Sequence, residues 1–199
     1  MAEQLFTFIA QHGYVTIFVL VFLVEIGIPN PVPNELVLLY AGSLTATGVL
    51  HLVPAFLAAV LGDFIGTTLL FTVFYFFGTV LQNFKWFPKH KLEVLSAKIS
   101  KRGKWGIFLG RLIPYIRGYT SVAAGLMQIQ PRVFMSVVVF SALLWSGGYV
   151  LAGHFIGPKV VAMADQIGAG QNGVIAVIIL CALIFFVASH FISKRSLKE

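Results

Sequence analysis

Residues 110–118 have the sequence GRLIPYIRG, which combines two arginines and a proline in nine residues. It places Arg111 and Arg117 on either side of Pro114 within an otherwise apolar segment. Proline interrupts a helix because it lacks an N–H and its ring clashes with the preceding turn. The stretch therefore predicts two short helices joined at a break, with a charged side chain on each side of that break.

The composition around this stretch is that of a membrane protein. The chain has 199 residues, of which 58% are hydrophobic and only 11% are charged. A soluble domain of this size carries far more charge. Apolar runs of about 20 residues are long enough to cross a hydrocarbon core about 30 Å thick. We therefore predict one all-α, polytopic membrane domain over residues 1–199.

The lengths of the apolar runs separate full spans from incomplete ones. Runs over 52–81, 133–156 and 174–192 are long enough to cross the membrane. The segments 14–48 and 105–129 each hold two shorter runs with a proline-containing break between them. Non-helical backbone at membrane depth is tolerated inside protein or beside a wet cavity. We therefore predict three transmembrane helices and two re-entrant helical hairpins.

Particular residues mark the hairpin tips. Pro29, Pro31 and Pro33 interrupt the first hairpin, and Pro114 followed by Gly118 interrupts the second. We expect these five residues to act as the hairpin breakers.

Two further segments are predicted to lie at the membrane surface. Residues 1–12 are mildly amphipathic and suit an interfacial helix. Residues 83–104 are basic, and Leu92, Leu95 and Ile99 fall on one helical face. This pattern predicts an amphipathic helix lying on the membrane. A loop is expected to open at Gly157-Pro158.

The charge distribution predicts an orientation. Residues 1–84 contain no Lys or Arg, whereas seven bases lie between Lys85 and Lys104 and the C-terminal tail is also basic. Because cytoplasmic loops are enriched in Lys and Arg, the 83–104 segment and the C-terminus are expected on the cytoplasmic side. The two hairpins then enter from opposite sides.

Short sequence echoes suggest an inverted repeat of a hairpin followed by a span. Ala41-Gly42 is matched by Ala124-Gly125, and the sequence GDFIG at 62–66 is matched by GHFIG at 153–157. Inverted repeats with broken helices are typical of transporters with a site near the midplane.

Five charged residues lie where charge is costly: Glu25, Glu35, Asp63, Arg111 and Arg117. Each costs roughly 2.5–3.5 kcal/mol at the bilayer centre on insertion scales. The arginine fork binds phosphate bidentately, and carboxylates held away from water can exchange protons. We therefore predict that the two arginines bind an anionic or zwitterionic lipid headgroup, while the three acids couple protons or form ion pairs.

Other interpretations of these charges stay open. The acids and arginines could only lock the hairpins together, and Asp63 could be satisfied by Thr67 or Thr68. A proton-coupled exporter of small molecules or drugs is compatible with the acids, although two arginines disfavour a cationic substrate. The scattered histidines form no set typical of an enzyme or a metal site. No cofactor, metal or nucleic acid is expected, and a homo-oligomer is compatible with the sequence.

The acidic and arginine-containing motifs together resemble the DedA family. The resemblance is carried by Glu25, by PVPNE at 31–35, by Gly62-Asp63 and by RLIPYIRG at 111–118. It implies opposed re-entrant hairpins, a bacterial inner-membrane location and a role in envelope homeostasis. It also implies translocation of undecaprenyl phosphate or phosphatidylethanolamine, linked to the proton motive force, by a protein that is not an enzyme.

The chain departs from the usual DedA pattern after Asp63. Residues 64–69 have the sequence FIGTTL and lack the Tyr/Trp-Gly-Arg continuation. The first hairpin tip also holds more proline than is usual. These departures leave the expected fold unchanged and leave the identity of the lipid open.

Overall fold

The computed structural model describes residues 2–28, 33–83, 88–114 and 116–166, with side chains from His12 to Lys159 within those ranges. All regular structure in these residues is helical, which confirms the predicted all-α class for this part of the chain. The elements in chain order are α1 (Ala2–Glu25), α2 (Asn34–Ala46), α3 (Leu52–Leu81), α4 (Lys89–Arg102), α5 (Lys104–Arg111), α6 (Ile116–Leu126), α7 (Pro131–Ala142), a π-helical turn (Leu143–Gly147) and α8 (Gly148–Gln166). The predicted span over 174–192 lies outside the described residues, as do Pro29 and Pro31.

Helix α3 has the length and the surface of a membrane span. Its 30 residues extend for about 45 Å at 1.5 Å per residue, which is enough to cross a bilayer with tilt. Exposed apolar side chains recur at every fourth position, namely Val53, Leu57, Leu61, Ile65, Leu69 and Val73. Such a stripe along one face suits contact with lipid. By length and composition, α3 and residues 131–159 could both cross a membrane.

The second long helical segment differs from its prediction in two ways. It runs from Pro131 to Gln166 without a loop, because the helix continues through Pro158. The loop expected at Gly157-Pro158 was therefore wrong, since neighbouring groups in membrane helices can compensate for the hydrogen bond that proline removes. The π-helical turn over Leu143–Gly147 was not predicted.

The helices break at both predicted hairpin tips. Helix α1 ends at Glu25 and α2 begins at Asn34, directly after Pro33 in an extended conformation. Helix α5 ends at Arg111 and α6 begins at Ile116. Entry of the two hairpins from opposite sides of a membrane stays a prediction.

Helix α1 has no break between the predicted interfacial segment 1–12 and the first hairpin. It passes through Gly13, where an added Cβ would lie 2.8 Å from a methyl carbon of Leu50. Gly13 is thus a packing position within one helix and not a boundary between two.

The apolar face of α4 packs against protein. Leu92, Leu95 and Ile99 are each at most 5% exposed and belong to one core cluster with side chains of α5 and α6. The apolar face is therefore covered by protein, and the position of α4 at the membrane surface stays a prediction. Lys89, Lys91 and other basic residues of the opposite face remain exposed.

Glycines bring the hairpin arms unusually close to the long helices. Gly42 of α2 abuts the backbone of α8, where its Cβ would meet the Val150 carbonyl oxygen and lie 2.9 Å from Gly153 Cα. Gly125 of α6 abuts α3, where its Cβ would lie 2.7 Å from the Phe71 carbonyl oxygen. Each Ala-Gly pair of the predicted repeat therefore contacts the long helix of the other repeat unit.

Candidate functional site: a buried charge cluster

Four of the five predicted charged residues meet in the interior. They are Glu25 at the end of α1, Asp63 in α3, Arg111 at the end of α5 and Arg117 in the first turn of α6. We call these four residues the charge cluster. Asp63 is fully buried, and the other three are at most 8% exposed. Asp63 lies eleven residues into α3, or roughly 16 Å from its first residue at 1.5 Å per residue, so the charge cluster lies well within the long helix.

Arg111 is almost completely satisfied by protein groups. Its Nη2 donates to Asp63 Oδ1 at 2.8 Å, and its Nε donates to Ser141 Oγ at 2.7 Å. Its Nη1 donates to Thr67 Oγ1 at 3.1 Å and to Ser121 Oγ at 3.0 Å. Arg111 thereby joins α3, α5, α6 and α7 around one guanidinium. These contacts indicate a residue that holds the site together.

Arg117 is bonded very differently, although it lies beside the same aspartate. Its Nη2 contacts both Glu25 Oε1 and Asp63 Oδ2 at 2.7 Å. Its Nε and Nη1 are buried and have no hydrogen-bond partner among the described residues. The guanidinium carbon lies 5.5 Å from the centre of the Trp145 ring. Arg117 therefore keeps two donor nitrogens that have no partner among the described residues, next to an aromatic side chain.

Hydroxyl groups connect the two acids. Ser146 Oγ donates to Asp63 Oδ2 at 2.6 Å. Thr67 Oγ1 lies 3.0 Å from Glu25 Oε2 and 3.2 Å from Asp63 Oδ1. Because a threonine hydroxyl carries one proton, Thr67 can donate to only one of these carboxylates at a time. The two acids therefore share one donor as well as Arg117.

Small residues of α3 allow Glu25 to reach this position. An added Cβ at Gly62 would lie 2.8 Å from the Phe18 carbonyl oxygen of α1. At Gly66 it would lie 2.7 Å from Glu25 Cβ and 2.8 Å from the Phe22 carbonyl oxygen. Glycines at these positions let the two backbones approach closely, as small residues do in membrane helix pairs. The GDFIG motif thus supplies both Asp63 and the surface on which α1 packs.

The remaining predicted residues lie apart from these contacts or outside the described ranges. Glu35 lies in the first turn of α2, is partly buried and makes no hydrogen bond or ion pair with another described residue. Pro33 directly precedes α2, and Pro114 lies in the break between α5 and α6. Gly118 lies inside α6 and not in the break.

Sequence reasoning missed the polar partners of the charge cluster: Thr67 as a shared donor, Ser121, Ser141, Ser146, Trp145, and Asn34, whose Nδ2 lies 3.4 Å from Glu25 Oε1. The sequence suggests Thr67 only as a partner of Asp63. One available signal was the helical spacing that places Thr67 one turn after Asp63 on the same face.

A family model described as the VTT domain matches residues 32–155. The chain belongs to the VTT-domain (DedA) family. The matched range includes Asp63, Arg111 and Arg117, whereas Glu25 precedes it. As a VTT-domain protein with two long apolar helices, the chain is a membrane protein.

Three relatives align with nearly the whole VTT-domain chain. Undecaprenyl phosphate transporter A of Staphylococcus aureus is 28% identical over 210 residues, which cover 97% of this chain and 98% of the relative. The protein of the same name from Bacillus subtilis is 22% identical over 200 residues, which cover 98% and 96%. An alkaline phosphatase-like protein of Lactococcus lactis is 28% identical over 212 residues, again covering 98% and 96%. No solved structure matches the chain.

Proposed function

We propose that this protein translocates a phosphate-bearing lipid across the membrane and that Arg117 binds the phosphate. The observation that supports this proposal is that two donor nitrogens of Arg117, Nε and Nη1, are buried without a partner among the described residues. Arginine binds two phosphate oxygens through Nη2 together with either Nε or Nη1, so each free nitrogen would complete such a pair when a carboxylate leaves Nη2. Arg111 has no buried nitrogen without a partner among the described residues, so we assign it the role of positioning Asp63 and α6.

Charge balance suggests how binding is coupled to protons. With both acids ionised, the two acids and two arginines of the charge cluster are neutral together. A proton on Glu25 leaves one net positive charge, because arginine stays protonated. An anionic headgroup then restores neutrality in a region where unbalanced charge is costly. We therefore propose that proton uptake and phosphate binding accompany each other.

Undecaprenyl phosphate is the first candidate substrate, with phosphatidylethanolamine as the second. Two relatives of near-complete coverage bear the name undecaprenyl phosphate transporter A. Both lipids carry a phosphate that suits Arg117, and they differ in the ammonium group of ethanolamine. We further propose a multi-pass location in the bacterial inner membrane, with the 83–104 segment and the C-terminus on the cytoplasmic side.

The direct test measures lipid movement in proteoliposomes. Each candidate lipid is supplied separately, with and without a pH gradient, to the wild type, Arg117→Gln and Arg132→Gln. Arg132 is exposed at the start of α7 and provides the matched control for loss of one arginine. We expect Arg117→Gln to abolish movement and Arg132→Gln to preserve it. Normal movement by Arg117→Gln would disprove the assignment.

A second experiment separates translocation from a purely structural charge lock. The single variant Arg117→Lys keeps a positive charge beside Glu25 and Asp63 but removes the donors Nε and Nη1. A structural lock predicts retained function in Arg117→Lys, whereas translocation through the arginine donors predicts its loss. The drug-exporter alternative predicts that a cationic substrate, and not lipid phosphate, moves with the pH gradient.

The name of the Lactococcus lactis relative motivates a test for hydrolysis. The purified protein is incubated with lipid carrying a labelled phosphate, and the product is analysed for free phosphate. We expect the label to stay on the lipid while the lipid changes leaflet. Release that depends on Arg117 would favour an enzyme instead.

A further inference from the structure

Trp145 lies beside Arg117 of the charge cluster and carries a donor nitrogen that has no partner among the described residues. Its indole Nε1 is buried and has no hydrogen-bond partner within the described part of the chain. The same ring lies under the Arg117 guanidinium, with 5.5 Å between the guanidinium carbon and the ring centre. Tyr149 packs edge-on against this ring at 5.1 Å and so restrains the indole. Three buried donor nitrogens that have no partner among the described residues, two in Arg117 and one in Trp145, therefore lie in neighbouring side chains.

The π-helical turn determines where Trp145 lies. A π-helical turn adds a residue to the helical repeat and is frequent at functional sites. The next residue of this turn, Ser146, donates to Asp63, and a Cβ added at Gly147 would meet the Phe56 ring. These contacts on both sides fix the turn against α3. The turn thus brings an aromatic donor to the charge cluster together with a partner for its aspartate.

We infer that Trp145 is a phosphate-binding residue whose indole N–H supplies a third donor beside a pair of Arg117 donors. This inference rests on the proposed function and extends it to the selectivity of the site. A carboxylate uses both of its oxygens on the arginine fork. A phosphate ester has a further oxygen for a third donor. Trp145 therefore favours phosphate over carboxylate ligands.

Binding of a short prenyl phosphate to the full-length protein in detergent tests this inference. The titrants are farnesyl phosphate, inorganic phosphate and farnesoic acid, and each is added to the wild type, Trp145→Phe and Trp105→Phe. Phenylalanine keeps a ring beneath Arg117 but lacks the N–H, and Trp105 is a matched control because it is 62% exposed on α5. We expect farnesyl phosphate to bind about tenfold more weakly to Trp145→Phe, since one hydrogen bond to a charged group is lost.

The control ligands show which part of the molecule is recognised. Trp105→Phe should bind farnesyl phosphate like the wild type, and binding of farnesoic acid should be insensitive to Trp145→Phe. Inorganic phosphate should compete with farnesyl phosphate if the phosphate group alone is recognised. Equal binding of farnesyl phosphate by Trp145→Phe and the wild type would overturn the inference.

Two further measurements keep this outcome separate from failure of the proposed function. If Trp145→Phe binds normally while Arg117→Gln binds nothing, the inference fails and the proposed function stands. If the wild type binds no farnesyl phosphate, both fail. Should Trp145→Phe not fold, the double variant Trp86→Phe/Trp105→Phe leaves Trp145 as the single tryptophan, whose emission is excited selectively. A change in its emission on adding farnesyl phosphate is expected, and an unchanged spectrum would overturn the inference.

Discussion

Asp63 is the residue on which the electrostatic balance of the charge cluster depends. It accepts hydrogen bonds from Arg111, Arg117 and Ser146 while being completely buried. The Asp63→Asn substitution changes the shape of the side chain little, yet it leaves Glu25 as the one carboxylate of the charge cluster for two arginines. Because guanidinium groups do not lose their protons in proteins, the resulting positive charge cannot be removed by deprotonation. We therefore expect this substitution to be the most damaging neutralisation in the molecule.

The expected magnitude follows from the loss of one partner in a buried ion pair. Such losses cost about 3–5 kcal/mol. A domain of 150–250 residues shifts its melting temperature by about 2–4 °C per kcal/mol, which predicts a decrease of roughly 6–20 °C for Asp63→Asn. The assay is thermal unfolding in one fixed detergent, with Glu93→Gln as the control because Glu93 is exposed on α4.

Anion binding provides an independent signature of the same charge imbalance. An added lipid phosphate should raise the melting temperature of Asp63→Asn by more than that of the wild type, because it replaces the missing negative charge. A melting temperature of Asp63→Asn equal to that of Glu93→Gln would refute the reasoning, since it would mean that the arginines do not need Asp63.

Three further substitutions test the packing around the charge cluster. Gly66→Ala should destabilise the protein by about 1–3 kcal/mol and reduce transport, because the added Cβ would lie 2.7 Å from Glu25 Cβ. Gly118→Ala is the control, because a Cβ added there meets no atom within 4 Å. In thermal unfolding this control should be neutral or stabilising by up to about 1 kcal/mol. Gly153→Ala should likewise be destabilising in that assay, because its Cβ would meet the Leu39 carbonyl oxygen. Phe134→Ala should cost about 3–5 kcal/mol, because the fully buried Phe134 ring stacks in the core, whereas Phe140→Ala, at 67% exposure, should cost far less.

The charged residues of the charge cluster could be predicted from the sequence, because each of them lies in an otherwise apolar segment. Glu25, Asp63, Arg111 and Arg117 are conspicuous because almost nothing around them is polar. Their partner hydroxyls are not conspicuous, since serine and threonine are tolerated throughout membrane helices. Glu35 fulfilled the same sequence criterion and yet pairs with no other described residue, because pairing depends on helix rotation.

The helix boundaries could likewise be predicted from the sequence only in part. Pro114 correctly predicted the break between α5, which ends at Arg111, and α6, which begins at Ile116. Proline misled at Pro158, where the helix continues, because the cost of a missing N–H depends on neighbouring elements. The π-helical turn has no distinct sequence pattern here. It could be recognised only from its consequence, the placement of Trp145 and Ser146 against the charge cluster.

The segregation of charges between the hairpins suggests which movement opens the site to an anion. Glu25 belongs to the first hairpin, Arg111 and Arg117 belong to the second, and Asp63 belongs to the long helix between them. If the first hairpin withdraws, it removes a negative charge and leaves Asp63 with two arginines, which is a net positive site. If the second hairpin withdraws, it removes both arginines and leaves two carboxylates, which repel phosphate. In the proposed translocation, anion entry therefore depends on movement of the first hairpin, and we expect protonation of Glu25 to lower the electrostatic cost of that movement because it weakens the ion pair with Arg117.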